Sequence, residues 1–183
     1  MSAAAPDRLY FTDDEEANRL LASDPFALLV GAALDQQITV QQAFAGPLRI
    51  KQRAGTLDPK TLAHTDLEPV FKEKPAIHRF PGSMAKRVQE LAATVAEEYD
   101  GDAARLWTDA KDADDLRKRL RALPGFGEMT VHTLADVLAN RFGVETAKPL
   151  VKYSGLGAVD SPQALLDYQA AKRAHKAAMK AAR

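Results

Sequence analysis

The sequence predicts an all-α fold, because helical patterns dominate it and no run of alternating apolar and polar residues is long enough for a strand. Apolar residues make up 46% of the 183 residues, which is enough for a hydrophobic core in one domain or in two small lobes. Glycine and proline occur ten times each, an ordinary proportion. We therefore expect a helical protein whose helices pack at varied angles.

The first two helices are predicted from their start signals. Thr12 and Glu15 match a capping box, which opens a short helix that runs through Leu21. Asp24-Pro25 opens a second helix at 26–34, and this helix is apolar on nearly every side. We therefore expect it to be the central buried helix.

The middle of the chain alternates helices with breakers. Residues 40–53 form a helical pattern that Gly46-Pro47 must kink or interrupt. Asp58-Pro59 starts a short helix, and residues 74–82 are predicted as a loop because they hold two prolines and a glycine. Ser83 is the predicted N-cap of the next helix, which Gly101 ends.

The last third contains two amphipathic helices and a long terminal helix. The patterns at 112–123 and 128–142 are amphipathic and are separated by Pro124-Gly-Phe-Gly127. Residues 145–159 have no clean periodicity and are predicted as loop. Ser161-Pro162 then starts a final helix that runs to about residue 181.

Composition excludes several kinds of site. The chain has no cysteine, so it can form neither a disulfide nor a cysteine-ligated zinc site or iron–sulfur cluster. No stretch approaches the roughly 18 unbroken apolar residues of a membrane span. The N-terminal residues also lack the charged-then-apolar order of a signal peptide. We therefore expect a soluble cytoplasmic protein that contacts no membrane.

Basic and acidic side chains balance at 25 each, so binding to an acidic partner would depend on their distribution. Residues 13–16 form an acidic run. No acidic residue follows Asp167, whereas five basic ones do: Lys172, Arg173, Lys176, Lys180 and Arg183. The plain interpretation of this basic stretch is a solvated helix face, and phosphate binding is the alternative.

The segment Leu123-Pro-Gly-Phe-Gly127 lies between the two amphipathic patterns. Its glycines permit a tight turn with positive φ, so the backbone can come close to a phosphate. The helix that follows would direct its free N–H groups and the positive end of its dipole to the same point. The segment is therefore either a phosphate-binding hairpin or a plain turn between two helices with a glycine cap.

Three motifs together resemble the endonuclease III-like superfamily of DNA glycosylases, which contain a helix-hairpin-helix. LPGFG at 123–127 resembles the LPG-hydrophobic-G hairpin of these enzymes. LLVGAALDQQIT at 28–39 resembles their apolar helix and Gln-Gln loop, and GSMAKRV at 82–88 resembles the start of another helix in these proteins. The three motifs occur in the family's order and together span roughly two-thirds of the chain.

The resemblance implies an endonuclease III-like helical fold of two small lobes within a single domain at 1–183. The helix-hairpin-helix would occupy about 112–142. The helices at about 12–24 and 161–181 would form the second lobe.

The resemblance also implies which residues contact DNA. Gln36 and Gln37 would wedge into the duplex where the target nucleotide leaves, because a base inside the stack cannot be reached. In the family, hairpin carbonyls often hold a monovalent cation, a role that would fall to Leu123 and Gly125. The plainer alternative is that the two glutamines end a helix in solvent. The predicted DNA-binding residues are Gln36, Gln37, Ser83, Leu123, Gly125, Phe126, Gly127, Glu128, Met129 and Thr130.

The sequence departs from the family at the catalytic positions. The family's lysine follows the hairpin by two positions, where this chain has Met129, so a lyase reaction through a Schiff base is not expected. The family's aspartate lies in a Val-Asp-Thr-His-like segment, where this chain reads Val-Glu-Thr-Ala. A carboxylate is still needed to stabilise positive charge on the deoxyribose. The candidate catalytic carboxylates are Asp35, Glu145 and Asp160.

Each candidate also has a plainer interpretation. Asp35 either caps the end of its helix or pairs with a surface lysine, and Glu145 is a solvated loop residue. Asp160 caps the helix that follows it. Lys148 is a conceivable displaced amine nucleophile, although a loop lysine is more often solvated.

Arg79 and Phe80 are candidate pocket residues, because a guanidinium and an aromatic ring can stack on an everted base or bind phosphate. The alternative is an ordinary loop in which Phe80 packs on the core.

The sequence as a whole predicts a DNA-binding base-excision repair protein, a monofunctional DNA glycosylase that hydrolyses the N-glycosidic bond of a damaged or mispaired base. Two alternatives remain, a non-catalytic lesion-sensing protein on the same fold and a helical protein-interaction module. The expected partner is damaged or mismatched double-stranded DNA, and the expected state is a monomer. We expect a cytoplasmic location, nucleoid-associated in a prokaryote, and no cofactor apart from the monovalent cation at the hairpin.

Overall fold

Helices account for all the regular structure in the computed structural model, which describes residues 5–183. The predicted all-α fold is confirmed. Within the described range, no helix is long and apolar enough to cross a membrane. The ten α-helices of the described part of the chain are α1 (Glu15–Ser23), α2 (Pro25–Leu34), α3 (Val40–Ala54), α4 (Pro59–Leu62), α5 (Glu68–Lys72), α6 (Pro81–Glu98), α7 (Arg105–Thr108), α8 (Ala113–Arg121), α9 (Glu128–Phe142) and α10 (Pro162–Ala181). Two 3-10 helices lie at Glu145–Leu150 and Leu156–Ala158.

Helix α2 is the central helix, as predicted, because every residue after Pro25 in it is buried. Asp24 caps it by accepting hydrogen bonds from the backbone N–H groups of Phe26 at 2.9 Å and Ala27 at 3.4 Å. Gly31 lies directly against the ring of Phe44 on α3, so the absence of a side chain there lets the two helices pack closely. The end of α2 is thereby held in a fixed place in the core.

Helix α3 is continuous from Val40 to Ala54, so Pro47 does not interrupt it. The predicted alternative, a kink at Gly46-Pro47, stays a prediction. A proline inside a helix removes one hydrogen bond and costs about 3 kcal/mol. Here Gly46 and Pro47 are both buried, and a Cβ atom on Gly46 would lie 2.6 Å from a methyl group of Leu34. Close packing of α3 against α2 therefore outweighs the tendency of Gly46 and Pro47 to end a helix.

The predicted N-cap Thr12 is wrong. The Thr12 hydroxyl instead accepts a hydrogen bond from the N–H of Asp14 at 2.8 Å, and Asp14 caps α1. Because Thr12 closes a local turn, the helix begins at Glu15.

The predicted N-cap Ser83 is also wrong. Helix α6 begins two residues earlier, at Pro81, because a proline fits the first helical position without losing a hydrogen bond. Ser83 is therefore exposed within the first turn. Further along the chain, α8 ends at Arg121 rather than at residue 123, and two 3-10 helices occupy most of the predicted loop at 145–159.

Helix α10 is unlike the other long helices, since Leu165 is its one buried residue. It begins at the predicted cap, where the Ser161 hydroxyl accepts a hydrogen bond from the N–H of Ala164 at 3.0 Å. All residues from 170 to 183 are exposed. The helix therefore docks through its first half, and its second half projects into solvent. The pairing of α1 and α10 in a second lobe stays a prediction.

Candidate functional site

His78 fixes the position where α2 ends and the Gln-Gln loop begins. Its ring is buried, and its Nε2 atom lies 3.1 Å from the carbonyl oxygen of Leu34 while its Nδ1 atom lies 3.0 Å from the backbone nitrogen of Phe80. This arrangement requires a neutral ring that donates from Nε2 and accepts at Nδ1. Burial lowers the pKa of His78, which favours that neutral form. The sequence predicted a loop here, with Arg79 and Phe80 as pocket residues, and gave no sign of the link to α2.

Asp35 follows immediately, and its carboxylate is largely removed from water. Only 11% of its side chain is exposed, and its Oδ1 atom has no hydrogen-bond partner among the described residues. The Lys172 ammonium group lies 3.7 Å from Oδ1, so the predicted pairing of Asp35 with a lysine is present. Burial raises the pKa of the Asp35 carboxyl, and the positive charge of Lys172 opposes that effect.

Asp35 lines a cavity of about 500 Å³ between the Gln-Gln loop and α10. Amide, hydroxyl and aliphatic groups form its walls, and four cationic side chains contribute to its lining. Arg79, one of the two predicted pocket residues, is one of these cations. The lining residues are Asp35, Gln37, Ile38, Thr39, Val40, Gln42, Arg79, Gln169, Lys172, Arg173 and Lys176.

Phe80, the second predicted pocket residue, does not line this cavity. It is 41% exposed, so the alternative that it packs on the core is also wrong. The Arg79 guanidinium lies 5.4 Å from the centre of the Phe80 ring, within range of a cation–π interaction. The Phe80 side chain therefore contributes to the site by helping to position Arg79.

The two glutamines of the loop have different environments. The Gln36 side chain donates a hydrogen bond to the carbonyl of Ala33 at 3.3 Å and is partly buried. Gln37 is exposed at the cavity and has a φ of 60°. Residues other than glycine rarely adopt that left-handed conformation, which is frequent at functional sites. Gln37 is thus the glutamine with a side chain free to leave the protein surface.

The hairpin consists of Leu123 to Gly127, between α8 and α9. Leu123 and Phe126 are buried, and the carbonyl of Leu123 accepts a hydrogen bond from the N–H of Phe126 at 3.2 Å. Gly125 has a φ of 76°, as expected for a turn that requires glycine. Gly127 has a φ of −85°, which any residue can adopt, so the tight turn depends on one glycine rather than two.

Arginines surround the hairpin. The Arg87 guanidinium lies against the face of Gly125 where a side chain would stand. Arg121 donates a hydrogen bond to the carbonyl of Phe126 at 3.2 Å, and Glu128 forms ion pairs with Arg117 and Arg121. Within residues 5–183, no side chain caps the start of α9, so the first N–H groups of this helix keep their capacity to bind an anion.

Two tyrosines lie near the proposed DNA-contacting elements, Tyr153 at α9 and Tyr168 beside Lys172. The Tyr153 hydroxyl lies 3.7 Å from the sulfur of Met129, and its ring stacks on His132 with 4.2 Å between the ring centres. Tyr168 on α10 is near Gly155 and contacts the cation of Lys172 at 5.9 Å. Burial, together with the negative charges of Asp35 and Asp136, raises the pKa of Tyr168 to about 12. Tyr153 therefore lies beside Met129 of α9, and Tyr168 lies beside Lys172, which lines the cavity.

Glu145 and Asp160, the other two candidate carboxylates, lie outside the cavity. Glu145 is exposed and pairs with Lys148 at 2.5 Å, so this lysine is held by a surface ion pair. Asp160 is exposed, and the interpretation that it caps α10 is wrong, because Ser161 is the cap. Asp35 is therefore the one sequence-predicted carboxylate that lines the cavity.

Asp136 is a buried carboxylate that was not among the predicted site residues. It accepts hydrogen bonds from the N–H groups of Gly155 at 2.9 Å and Gly157 at 2.8 Å, and from the Asn140 amide at 2.7 Å. These bonds tie α9 to the loop before α10. Its position on the buried side of an amphipathic helix was the available sequence signal.

Residues 5–183 contain no group of three or more His, Cys, Asp or Glu side chains that could hold a metal ion. The monovalent cation expected at the hairpin would be bound by backbone carbonyls, and it stays a prediction. Comparisons with protein-family models, with curated proteins and with solved structures found no significant match to this chain.

Proposed function

We propose that this protein is a monofunctional DNA glycosylase that binds damaged or mispaired duplex DNA, everts one nucleotide into the cavity and hydrolyses its N-glycosidic bond. The observation that carries the proposal is the environment of Asp35, a largely buried carboxylate that lines a cavity of about 500 Å³ and has one oxygen without a hydrogen-bond partner among the described residues. Such an arrangement costs stability, so a role in chemistry explains it better than a role in folding.

The chemistry calls for a negative charge at this position. Cleavage of an N-glycosidic bond builds positive charge on the deoxyribose, and a fixed carboxylate in a site with little water stabilises that charge while water attacks. Lys172 favours the ionised form of Asp35, which burial alone would disfavour. Met129, in place of an amine, supports hydrolysis without a Schiff base.

The surroundings of the cavity suit an everted nucleotide. Arg79, Lys172, Arg173 and Lys176 offer positive charge to phosphates, and the amides inside can hydrogen-bond the edge of a base. Gln37 is exposed at the cavity, where it can fill the gap that the base leaves in the duplex. The hairpin, with Gly125 and the adjacent Arg87, supplies a second phosphate contact without reading sequence.

The proposal is tested by incubating the full chain with duplexes that each carry one uracil, hypoxanthine, alkylated purine, oxidised purine or mismatch. We expect release of the free base from at least one duplex, with an abasic site that breaks only after alkali. Strand breakage before alkali would contradict the monofunctional mechanism. Absence of both base release and duplex binding would contradict the proposed function.

A pair of glycine variants tests the hairpin contact. Gly125 and Gly55 both have positive φ, at 76° and 82°, so Gly125→Leu and Gly55→Leu introduce backbone strain of the same kind. A side chain at Gly125 also displaces Arg87, whereas Gly55 faces open space. We expect duplex affinity to fall about tenfold or more in Gly125→Leu only, as for the loss of about 1.4 kcal/mol of binding energy. Equal losses would assign the effect to strain.

A non-catalytic lesion sensor is the second candidate, and the ion pair at the cavity favours it. The Lys172 ammonium group, 3.7 Å from Oδ1, offsets the negative charge that the chemistry requires. A sensor would bind lesion-containing duplex more tightly than undamaged duplex and would release no base. The same lesion panel therefore separates the two functions.

A further inference from the structure

In the exposed second half of α10, basic side chains lie along one side of the helix and no acidic side chain accompanies them. Lys172, Lys176 and Lys180 recur every four residues, so each is rotated by about 40° from the one before. Arg173 falls within the same arc of about 100°. The opposite half of the helix holds Ala170, Ala171, Ala174, Ala177, Ala178 and Ala181, with His175 towards its edge. We call Lys172, Arg173, Lys176 and Lys180 the basic stripe.

The basic stripe continues the face of α10 that docks on the protein. Leu165, which is buried, and Gln169, which hydrogen-bonds Gln41, lie in the same angular sector as the stripe. Three of its four cations, Lys172, Arg173 and Lys176, line the cavity, and Lys180 lies one turn further out. The stripe therefore begins at the proposed nucleotide site and leads away from it.

Neither the helix dipole nor pairing with nearby acidic side chains accounts for the stripe. Cations in the last turn of a helix interact favourably with its dipole, but this accounts for Lys180 and not for Lys172 or Arg173 in the middle of α10. A solvated helix commonly mixes both signs in pairs spaced by four residues, whereas no acidic residue follows Asp167. Among the described residues, Lys172 is the one stripe cation in an ion pair. Three cations thus remain available to an external anion.

We propose that the exposed half of α10 is a phosphate-binding arm, whose basic stripe lies along the backbone of duplex DNA flanking the nucleotide in the cavity. This inference rests on the proposed function and extends the phosphate contact at the cavity to the flanking backbone, apart from the contact at the hairpin. The residues after Lys172 extend about 15 Å, which corresponds to roughly four or five base pairs of flanking duplex. Charge complementarity selects a polyanion with regularly spaced phosphates.

The test compares duplex affinity and its salt dependence in three full-length proteins. Lys176→Gln/Lys180→Gln removes two stripe cations. A charge-swapped control adds Ala174→Lys and Ala178→Lys to that double variant, so net charge is restored on the opposite face of the helix. The probes are a 25-base-pair duplex with a central abasic-site analogue and a short duplex with about two base pairs on each side of the analogue, closed at both ends by neutral polyethylene-glycol linkers.

We expect the double variant to bind the long duplex about tenfold more weakly at 0.15 M salt, and its plot of log affinity against log salt to lose roughly two units of slope. The charge-swapped control should behave like the double variant, because position and not net charge matters. The difference from wild type should be smaller on the short duplex. Equal salt slopes in all three proteins, or full recovery of duplex affinity in the charge-swapped control, would overturn the proposal that α10 is a phosphate-binding arm.

The outcomes also separate the arm from the glycosylase proposal. Loss of salt-dependent binding in the double variant, in a protein that releases no base from any lesion, would support the arm and contradict the glycosylase. Base release by the wild type, with the same salt slope in the wild type and the double variant, would support the glycosylase and contradict the arm. Failure of the wild type to bind duplex at 0.05 M salt would overturn both.

Discussion

Asp35 and Asp136 are both aspartates removed from water, and both influence Tyr168, yet their surroundings differ in kind. Asp136 receives hydrogen bonds from two backbone N–H groups and one side-chain amide. Asp35 has one oxygen with no hydrogen-bond partner among the described residues, a lysine at 3.7 Å, and a cavity beside it. Asp136 thus joins a loop to helix α9, whereas Asp35 is a carboxylate left available beside a cavity.

The difference separates a carboxylate that stabilises the fold from one that is retained despite its cost. A buried charge with its hydrogen bonds complete stabilises the elements that surround it. A buried charge with an unmade hydrogen bond lowers stability. Substitution at the two positions should therefore have opposite consequences for stability and for activity.

The largest expected effect is the loss of base excision in Asp35→Asn. This variant keeps the shape of the side chain and removes its charge, so the rate under single-turnover conditions should fall about 100-fold or more. Its melting temperature should be equal to or higher than that of the wild type, because a desolvated charge has been removed. Asp160→Asn, at an exposed position outside the cavity, is the matched control and should keep the wild-type rate. Excision at the wild-type rate in Asp35→Asn would remove this residue from the mechanism.

Asp136→Ala should have the largest effect on stability. It leaves the N–H groups of Gly155 and Gly157 without their acceptor, at about 1–3 kcal/mol each. For a chain of this size, a total of about 3 kcal/mol lowers the melting temperature by roughly 6–12 °C. Thermal unfolding followed by circular dichroism measures the change. Asn140→Ala, which removes one donor to the carboxylate and leaves both N–H groups paired, should cost less. A melting temperature within about 2 °C of wild type in Asp136→Ala would show that the loop is held by other contacts.

The helix starts were predictable because their signals are local. Asp24, Asp58 and Ser161, each followed by proline, cap helices where the sequence placed them. Thr12 and Ser83 were misplaced because a neighbouring residue, Asp14 or Pro81, offered a better local start. In both cases two adjacent signals competed within a few residues.

The site was less predictable because it is assembled from distant parts of the chain. Asp35 was a candidate on the basis of its position beside the glutamines, but nothing in the sequence indicated that Lys172 would lie 3.7 Å away. The same holds for Arg87 against Gly125 and for the bond from His78 to Leu34. Such contacts depend on helix packing angles, which periodicity does not determine.

The dependence of stability on pH gives a smaller effect with a defined sign. Because the folded pKa of Asp35 is raised, the folded state holds more protons than the unfolded state between the two pKa values. The wild type should therefore lose stability relative to Asp35→Asn as the pH rises from the unfolded value of about 3.9 through the folded value. Base excision should change in the opposite direction and fall as acid protonates Asp35.

Paired thermal melts of the wild type and Asp35→Asn between about pH 3.5 and 7.5 measure this difference. Other titrating groups are common to both proteins, so their contributions cancel unless they contact Asp35. Lys172 is the group that pairs with Asp35, and it is present in both proteins. A stability difference that is constant, or that favours the wild type at higher pH, would contradict the raised pKa.

The smallest expected effect is a gain in stability from Gln37→Gly. This variant also tests whether the Gln-Gln loop is kept for function, as proposed for Asp35, or for stability, as for Asp136. Gln37 has a φ of 60°, a conformation that glycine adopts without a Cβ penalty. Relief of about 1 kcal/mol of strain is partly offset by the greater freedom of glycine in the unfolded chain, so melting should rise by only about 1–2 °C. Gln36→Gly is the control: its φ is not positive and its side chain bonds Ala33, so it should lower the melting temperature. If Gln37 serves DNA binding, Gln37→Gly should bind lesion-containing duplex more weakly although its melting temperature is higher. A higher melting temperature with unchanged duplex affinity would mean that the strained conformation of Gln37 contributes neither to stability nor to DNA binding.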